Sequence, residues 1–131
     1  MTIRLLDTNI LSYIVKNHKL SMLYQRHVQG FTLAASFMTI AEMLEGAALA
    51  NWGERRMGSL AVLFNKLIVL DANIFVCRCW ANVRAERRAQ PIGIADAWIA
   101  ATALAYRIEL VTHNPSDFRG ISGLTVITEA P

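Results

Sequence analysis

The chain has 131 residues, 54% of them hydrophobic, so we expect residues 1–131 to form a single domain with a substantial core. No apolar run is long enough to cross a bilayer, and Asp7 and Asn9 interrupt the N-terminal stretch where a signal peptide would need apolar residues. The net charge of +3 is too small to indicate a nucleic-acid partner by itself. These properties predict a cytoplasmic globular protein.

The predicted elements alternate along the chain. Apolar runs that end at turn residues predict strands at residues 3–7, 31–37, 67–70, 109–112 and 124–128. Apolar residues at helical spacing predict helices at residues 8–15, 20–28, 39–48, 55–66, 73–89 and 94–106. This order predicts the α/β class, with a mostly parallel sheet of about five strands between two layers of helices.

The two cysteines, Cys77 and Cys79, lie two positions apart in one predicted helix. Their side chains then point in different directions, and their spacing fits neither a disulfide nor a zinc site. We expect both to be reduced and buried.

Acidic side chains follow the predicted strands. Asp7, Asp71 and Asp117 come after strands, whereas Glu42 and Asp96 lie in the first turns of predicted helices. Ligand sites of open parallel sheets form beyond the carboxyl ends of the strands, where residues from distant segments meet. Crowded carboxylates repel one another and favour a hard cation such as Mg²⁺ or Mn²⁺ between them. Such a centre suits hydrolysis of a phosphodiester.

Each acid also has a structural interpretation. Thr39 and Glu42 have the spacing of a helix capping box, and Asp96 suits the positive end of a helix dipole. Asp117 fits a turn, and Asp71 fits a cap or turn beside an edge strand. Asp7 is the hardest to explain in this way, because a carboxylate that closes an apolar strand is costly to bury without a partner.

Four segments, in this order, together resemble the PIN-domain family and, within it, the VapC toxins of toxin–antitoxin pairs. They are residues 5–11 (LLDTNIL), 39–46 (TIAEMLEG), 91–101 (PIGIADAWIAA) and 110–118 (LVTHNPSDF). The resemblance implies a three-layer α/β/α PIN-like fold and an Mg²⁺- or Mn²⁺-dependent endoribonuclease. It further implies a cognate VapB-type antitoxin and a homodimer as partners, and RNA as the substrate.

The resemblance also implies site residues. Asp7, Glu42, Asp96 and Asp117 are the implied catalytic acids, with Asp7 and Asp96 as the main metal ligands. Glu42, Asp117 and Asn114 are further candidate ligands. Many PIN domains have an acid at the position of Asn114, so the choice between Asn114 and Asp117 stays open, as does the number of ions.

Substrate contacts are predicted at hydroxyl, amide and guanidinium groups near these segments. The candidates are Thr8, Thr112, Asn114, Arg84, Arg87 and Arg88. The arginine cluster also fits a solvated helix face, and His113 fits either a substrate contact or a solvated loop. The alternative functions are a non-catalytic PIN-like module and a DNA-directed nuclease.

Overall fold

The structure, a computed structural model, describes residues 2–131. The strands are β1 (Ile3–Leu6), β2 (Thr32–Ser36), β3 (Ile68–Leu70), β4 (Glu109–Val111) and β5 (Val126–Ile127). The α-helices are α1 (Thr8–Val15), α2 (Gln25–Val28), α3 (Phe37–Leu49), α4 (Glu54–Asn65), α5 (Ile74–Glu86) and α6 (Ile94–Tyr106), with 3₁₀ helices at Lys19–Tyr24 and Pro115–Phe118. The strands form one sheet in the order β3-β2-β1-β4-β5, and all its pairings are parallel. The predicted α/β class and parallel sheet are confirmed.

The central strand β1 has apolar side chains on both faces of the sheet. Successive side chains of a strand point to opposite faces. Leu5 accordingly packs in a cluster with Ile99 of α6, whereas Leu6 packs in a second cluster with Leu11 of α1 and Leu60 of α4. Both leucines are fully buried. The helices therefore cover the sheet from two sides, and β1 carries the chain from the core to one edge of the sheet.

Helix α3 begins earlier than the sequence predicts. Ser36, at the end of β2, has an extended backbone, and its Oγ accepts a hydrogen bond of 3.1 Å from the backbone N–H of Met38. Ser36 is therefore the N-cap, and Thr39 lies fully buried within the first turn. The predicted capping box of Thr39 and Glu42 was wrong, because a cap was available three residues before Thr39.

Two other predictions need correction. The segment 20–28 is not one helix but a 3₁₀ helix followed by the single turn of α2. Cys77 and Cys79 are both free, as predicted, but Cys77 is exposed and Cys79 is only half-buried. Val76 and Val83 are the buried residues of α5. Cys79 lies between them on the same face, at helical spacing from both, whereas Cys77 points away from that face. Among the helices of residues 2–131, none has both the length and the apolar character needed to cross a membrane.

Two isoleucines of α6 provide a matched test of this packing. Ile99 is fully buried between α6 and the sheet, whereas Ile94 is 66% exposed. We expect Ile99→Ala to lower the free energy of unfolding by about 2–5 kcal/mol, because it leaves a cavity in the core. Ile94→Ala should change it by less than about 0.5 kcal/mol. Urea denaturation of both variants checks the prediction, and equal losses would contradict the described packing.

Candidate functional site

Asp7 lies at the carboxyl end of β1, and its carboxylate is held by two donors. The backbone N–H of Asp7 donates to the carbonyl of Val111 at 2.9 Å, which continues the strand pairing by one residue. Its Oδ1 accepts a bond of 2.8 Å from the N–H of Thr8, and its Oδ2 accepts one of 2.6 Å from the hydroxyl of Thr112. Burial raises the pKa of Asp7, although these two hydrogen bonds act against it. Asp7 is only 5% exposed, so its position and orientation are tightly defined.

Glu42 is oriented by Thr8, the residue after Asp7. The Thr8 hydroxyl donates to Glu42 Oε1 at 2.7 Å and lies 3.0 Å from the hydroxyl of Thr39. Glu42 sits in the second turn of α3, so it reaches towards the end of β1 rather than back to its own helix terminus. The charge of Glu42 adds to the rise in the pKa of Asp7, because like charges disfavour ionisation of their neighbours.

Asp96, in the first turn of α6, is half-buried. Burial, followed by the charges of Asp7, Asp117 and Glu42, raises its pKa to about 6. Among residues 2–131, no group donates a hydrogen bond to its carboxylate. The N-cap of α6 is Gly93, which has no side chain, and a Cβ at that position would lie 3.6 Å from Asp96 Oδ2. Within residues 2–131, the raised pKa of Asp96 is therefore not opposed by a hydrogen-bond donor.

The loop after β4 supplies Asp117 and Asn114. Asp117 is exposed in the 3₁₀ helix Pro115–Phe118, and its charge raises the pKa of both Asp7 and Asp96. Asn114 instead donates its backbone N–H to the Thr112 hydroxyl at 3.0 Å. Thr112 thus joins the Asp7 carboxylate to the turn at Asn114. Asp117 offers a charged oxygen and Asn114 a neutral one, so the choice between them as a metal ligand stays a prediction.

The four carboxylates share one edge of the sheet but are not drawn together on a single point. Within residues 2–131, no three acidic, histidine or cysteine side chains form a ready-made set of metal ligands. In the same part of the chain, no lysine or arginine contributes to the pKa shifts of Asp7 or Asp96. The site is therefore a region of uncompensated negative charge with oxygen donors only. Asp71, by contrast, is exposed after β3, which lies at the edge of the sheet as predicted, and Asn73 rather than Asp71 caps α5.

The predicted arginine cluster has different surroundings. Arg87 donates from Nη1 to the carbonyls of Arg119 at 2.8 Å and Asp117 at 3.2 Å, so it anchors the loop that carries Asp117. Arg88 donates to the carbonyl of Ala85, and the Arg84 guanidinium lies 5.3 Å from the ring centre of Trp80. Arg87 is thus held by backbone groups, whereas contacts of Arg84 or Arg88 with substrate stay predictions.

Tyr24 supports the same loop and was not singled out by the sequence. Its hydroxyl lies 2.5 Å from Nδ1 of His113 and accepts a bond of 3.0 Å from the N–H of Glu129. Tyr24 is 1% exposed, so His113 is held against a buried side chain rather than solvated. The only trace of this in the sequence is a tyrosine in an amphipathic segment. Its partners His113 and Glu129 lie 89 and 105 residues further along the chain.

Known proteins resemble this chain over most of its length. The sequence profile of the PIN domain matches residues 4–124. Ribonuclease VapC1 of Haemophilus influenzae strain R2866 is 34% identical over 128 residues, which are 93% of this chain and 94% of that protein. The tRNA(fMet)-specific endonuclease VapC of Shigella flexneri is 28% identical over 122 residues, 92% of each protein.

Solved structures show the same fold. A chain of VapBC2 from Rickettsia felis, bound to a DNA fragment from the promoter, superposes with a TM-score of 0.85 at 26% identity, over 97% of this chain and 98% of that one. A chain of VapBC-1 from nontypeable Haemophilus influenzae gives 0.84 at 32% identity, with the same coverage. By its sequence and its structure, the chain belongs to the PIN-domain family.

Proposed function

We propose that the protein is a VapC-type endoribonuclease that hydrolyses RNA phosphodiester bonds with Mg²⁺ or Mn²⁺ as cofactor. The observation that carries this proposal is that four acids, Asp7, Glu42, Asp96 and Asp117, share one edge of the sheet and act on one another. Besides burial, the charges of Glu42 and Asp117 raise the pKa of Asp7. The charges of all three other acids add to the burial that raises the pKa of Asp96. The names of the relatives, ribonuclease VapC1 and tRNA(fMet)-specific endonuclease VapC, support RNA as the substrate.

The donor set fits a hard divalent cation. Mg²⁺ prefers oxygen ligands and usually takes only one or two carboxylates, with water and substrate phosphate completing its coordination. Asp7 and Asp96 are the proposed ligands, because the first is fixed by Thr112 and the second has no hydrogen-bond donor among residues 2–131. A cation between them would also relieve the repulsion that raises their pKa values.

The side chains of this site have distinct proposed roles in the reaction. When bound, the cation would offset the negative charge of the scissile phosphate and activate a water molecule for attack. Thr8 holds one oxygen of Glu42, which leaves the other oxygen to accept the proton of the attacking water. The water oxygen bonds to phosphorus, the bond from phosphorus to O3′ breaks, and O3′ takes a proton from solvent water. The products are a 5′-phosphate and a 3′-hydroxyl end.

Two protein partners complete the proposal. The solved relatives are VapBC toxin–antitoxin complexes, which supports a cognate VapB-type antitoxin for this chain. Ile68 and Val69 on the edge strand, and Ile74 and Phe75 at the start of α5, are all more than 40% exposed. Exposed apolar side chains of this size favour an interface, and we propose a homodimer.

Removal of a proposed ligand tests the activity. We expect Asp7→Asn and Asp96→Asn each to lower Mg²⁺-dependent cleavage of total RNA by at least about a hundredfold. Residues that merely orient metal ligands already cost about 10–100-fold when changed, and a ligand should cost more. Sequencing of the cut ends should show 5′-phosphates for the wild type, and EDTA should abolish cleavage.

Asp71→Asn is the matched control, because it removes the same charge from an exposed acid beyond the edge strand. It should cleave RNA like the wild type. Full activity of Asp96→Asn would contradict the proposed site, and cleavage of single-stranded DNA in preference to RNA would favour the DNA-directed alternative. Absence of any cleavage by folded wild type with Mg²⁺ or Mn²⁺ would favour the non-catalytic module.

The repulsion at Asp96 predicts a pH-dependent stability of the metal-free protein. Its pKa is about 6 when folded against 3.8 for the ordinary group, so the folded state binds the proton more tightly. The resulting stabilisation is complete below pH 3.8 and is lost as the pH rises through about 6. Because Asp96 is only half-buried, solvent screening limits the effect to about 1 kcal/mol.

In EDTA near neutral pH, we expect Asp96→Asn to melt about 4 °C above the wild type, with the difference vanishing in acid. Thermal melting across this pH range measures it, and Asp71→Asn should follow the wild type throughout. A melting temperature of Asp96→Asn below that of the wild type at neutral pH would show that the carboxylate stabilises the metal-free fold.

A further inference from the structure

A basic cavity lies beside the acidic site, on the side of the sheet covered by α1 and α4. It has a volume of about 710 Å³, and it opens between the end of α1 and the first turns of α4. Its lining residues are Val15, Lys16, Ala50, Trp52, Arg55, Arg56 and Ser59. We call it the basic cavity.

The cations of the basic cavity are not engaged with acids. Among residues 2–131, the ion pairs involve Arg4, Arg26 and His27, and none involves Lys16, Arg55 or Arg56. Lys16, Arg55 and Arg56 are all exposed. Three unpaired positive charges around one concave surface attract anions.

The helix that carries the two arginines gains nothing from their position. Arg55 and Arg56 occupy the first turn of α4, where the helix dipole favours negative rather than positive side chains. The Arg56 guanidinium lies 5.9 Å from the ring centre of Trp52, and the indole is only half-buried. The cavity therefore combines a flat aromatic surface with guanidinium groups. Proteins that bind single-stranded nucleic acids use this combination.

A second, smaller cavity joins the basic cavity to the acidic site. It has a volume of about 130 Å³ and shares Val15, Lys16, Ala50 and Trp52 with the basic cavity. Its remaining lining includes Thr8 and Glu42, which belong to the acidic site. A nucleic-acid strand that passes over Glu42 therefore has a continuous concave surface leading to Trp52 and the two arginines.

We propose that the basic cavity binds the single-stranded RNA segment next to the scissile phosphate. Lys16, Arg55 and Arg56 contact backbone phosphates, and Trp52 stacks on a base. This inference rests on the proposed ribonuclease function. It explains how a substrate with a charged backbone is held beside four carboxylates that repel it, because phosphate contacts supply most of the affinity of nucleic-acid complexes.

Binding without cleavage provides the first test. A fluorescein-labelled single-stranded RNA of mixed sequence is titrated with full-length protein in EDTA, and anisotropy gives Kd at several salt concentrations. We expect Arg55→Ala/Arg56→Ala to weaken binding at least about tenfold at low salt. The slope of log Kd against log salt should fall by about 1.4, since each phosphate contact on a single strand contributes about 0.7. For RNA cleavage in Mg²⁺, the kcat/KM of this double variant should be lower than that of the wild type, mainly because its KM is higher.

Arg78→Ala/Arg107→Ala is the matched control. It removes the same two charges from exposed positions on α5 and at the end of α6, on the opposite side of the sheet. Its Kd, salt slope and cleavage should stay within about twofold of the wild type, as expected for charges that touch no phosphate.

Substitutions of Trp52 distinguish the contribution of base stacking to RNA binding from the contribution of charge. We expect Trp52→Leu to weaken RNA binding about tenfold with an unchanged salt slope, and Trp52→Phe to retain most of the affinity, because a phenyl ring still stacks on a base. Trp52 also packs against the core cluster of α1, α3 and α4, so thermal melting accompanies each measurement. If Trp52→Leu fails to fold, the Arg55→Ala/Arg56→Ala variant still tests the proposal, because both arginines are exposed.

The outcomes distinguish this inference from the proposed function. If the wild type neither binds nor cleaves RNA, both are overturned. If it does both, and the Arg55/Arg56 variant matches the Arg78/Arg107 control, only the basic-cavity assignment is overturned. Polyaspartate serves as a competitor of equal charge. If it displaces the RNA from the wild type as well as unlabelled RNA does, and Trp52→Phe and Trp52→Leu bind alike, the cavity is a site for acidic peptides instead.

Discussion

The buried carboxylate of Asp7 is the constraint on which the rest of the site depends. Asp7 directly follows the central strand of the sheet and is nearly inaccessible to water. This burial raises the pKa of its carboxyl group. Such a group is costly unless hydrogen bonds or a cation satisfy it. The Thr112 hydroxyl and the Thr8 amide supply part of that compensation. Thr112 directly follows the adjacent strand β4, and Thr8 is the first residue of α1.

Topology brings the other acids to this point. Strand β1 lies between β2 and β4, so the elements that follow both neighbours begin at the same edge as Asp7. Helix α3 follows β2 and carries Glu42, while the loop after β4 carries Asp117. Helix α6 adds Asp96 from the other layer, with its side chain free of hydrogen-bond donors within residues 2–131. The parallel sheet thus gathers like charges at one edge, and we propose that they provide oxygen ligands for a cation.

The sequence predicts the framework well, because apolar periodicity reflects burial directly. Helix α6 has the predicted bounds, and all five predicted strands form. The start of α3 was predicted wrongly because two nearby residues could each cap the helix. Ser36 is the N-cap, rather than Thr39. Contacts between remote segments explain the rest. The link from Arg87 to the carbonyl of Arg119, and the pairing of Tyr24 with His113, leave no local pattern. Asp7 and Asp117 were singled out because they follow strands, and Glu42 and Asp96 because they lie near the starts of helices. The role proposed for each acid came from the family resemblance.

The most direct test of the account is the position of a bound cation. Crystals grown with Mn²⁺ would locate the ion by its anomalous scattering. We predict a peak within about 2.3 Å of carboxylate oxygens of both Asp7 and Asp96, the range expected for oxygen ligands of such ions. A peak bound elsewhere, or no peak at this edge of the sheet at saturating Mn²⁺, would contradict the claim that these carboxylates form the metal centre.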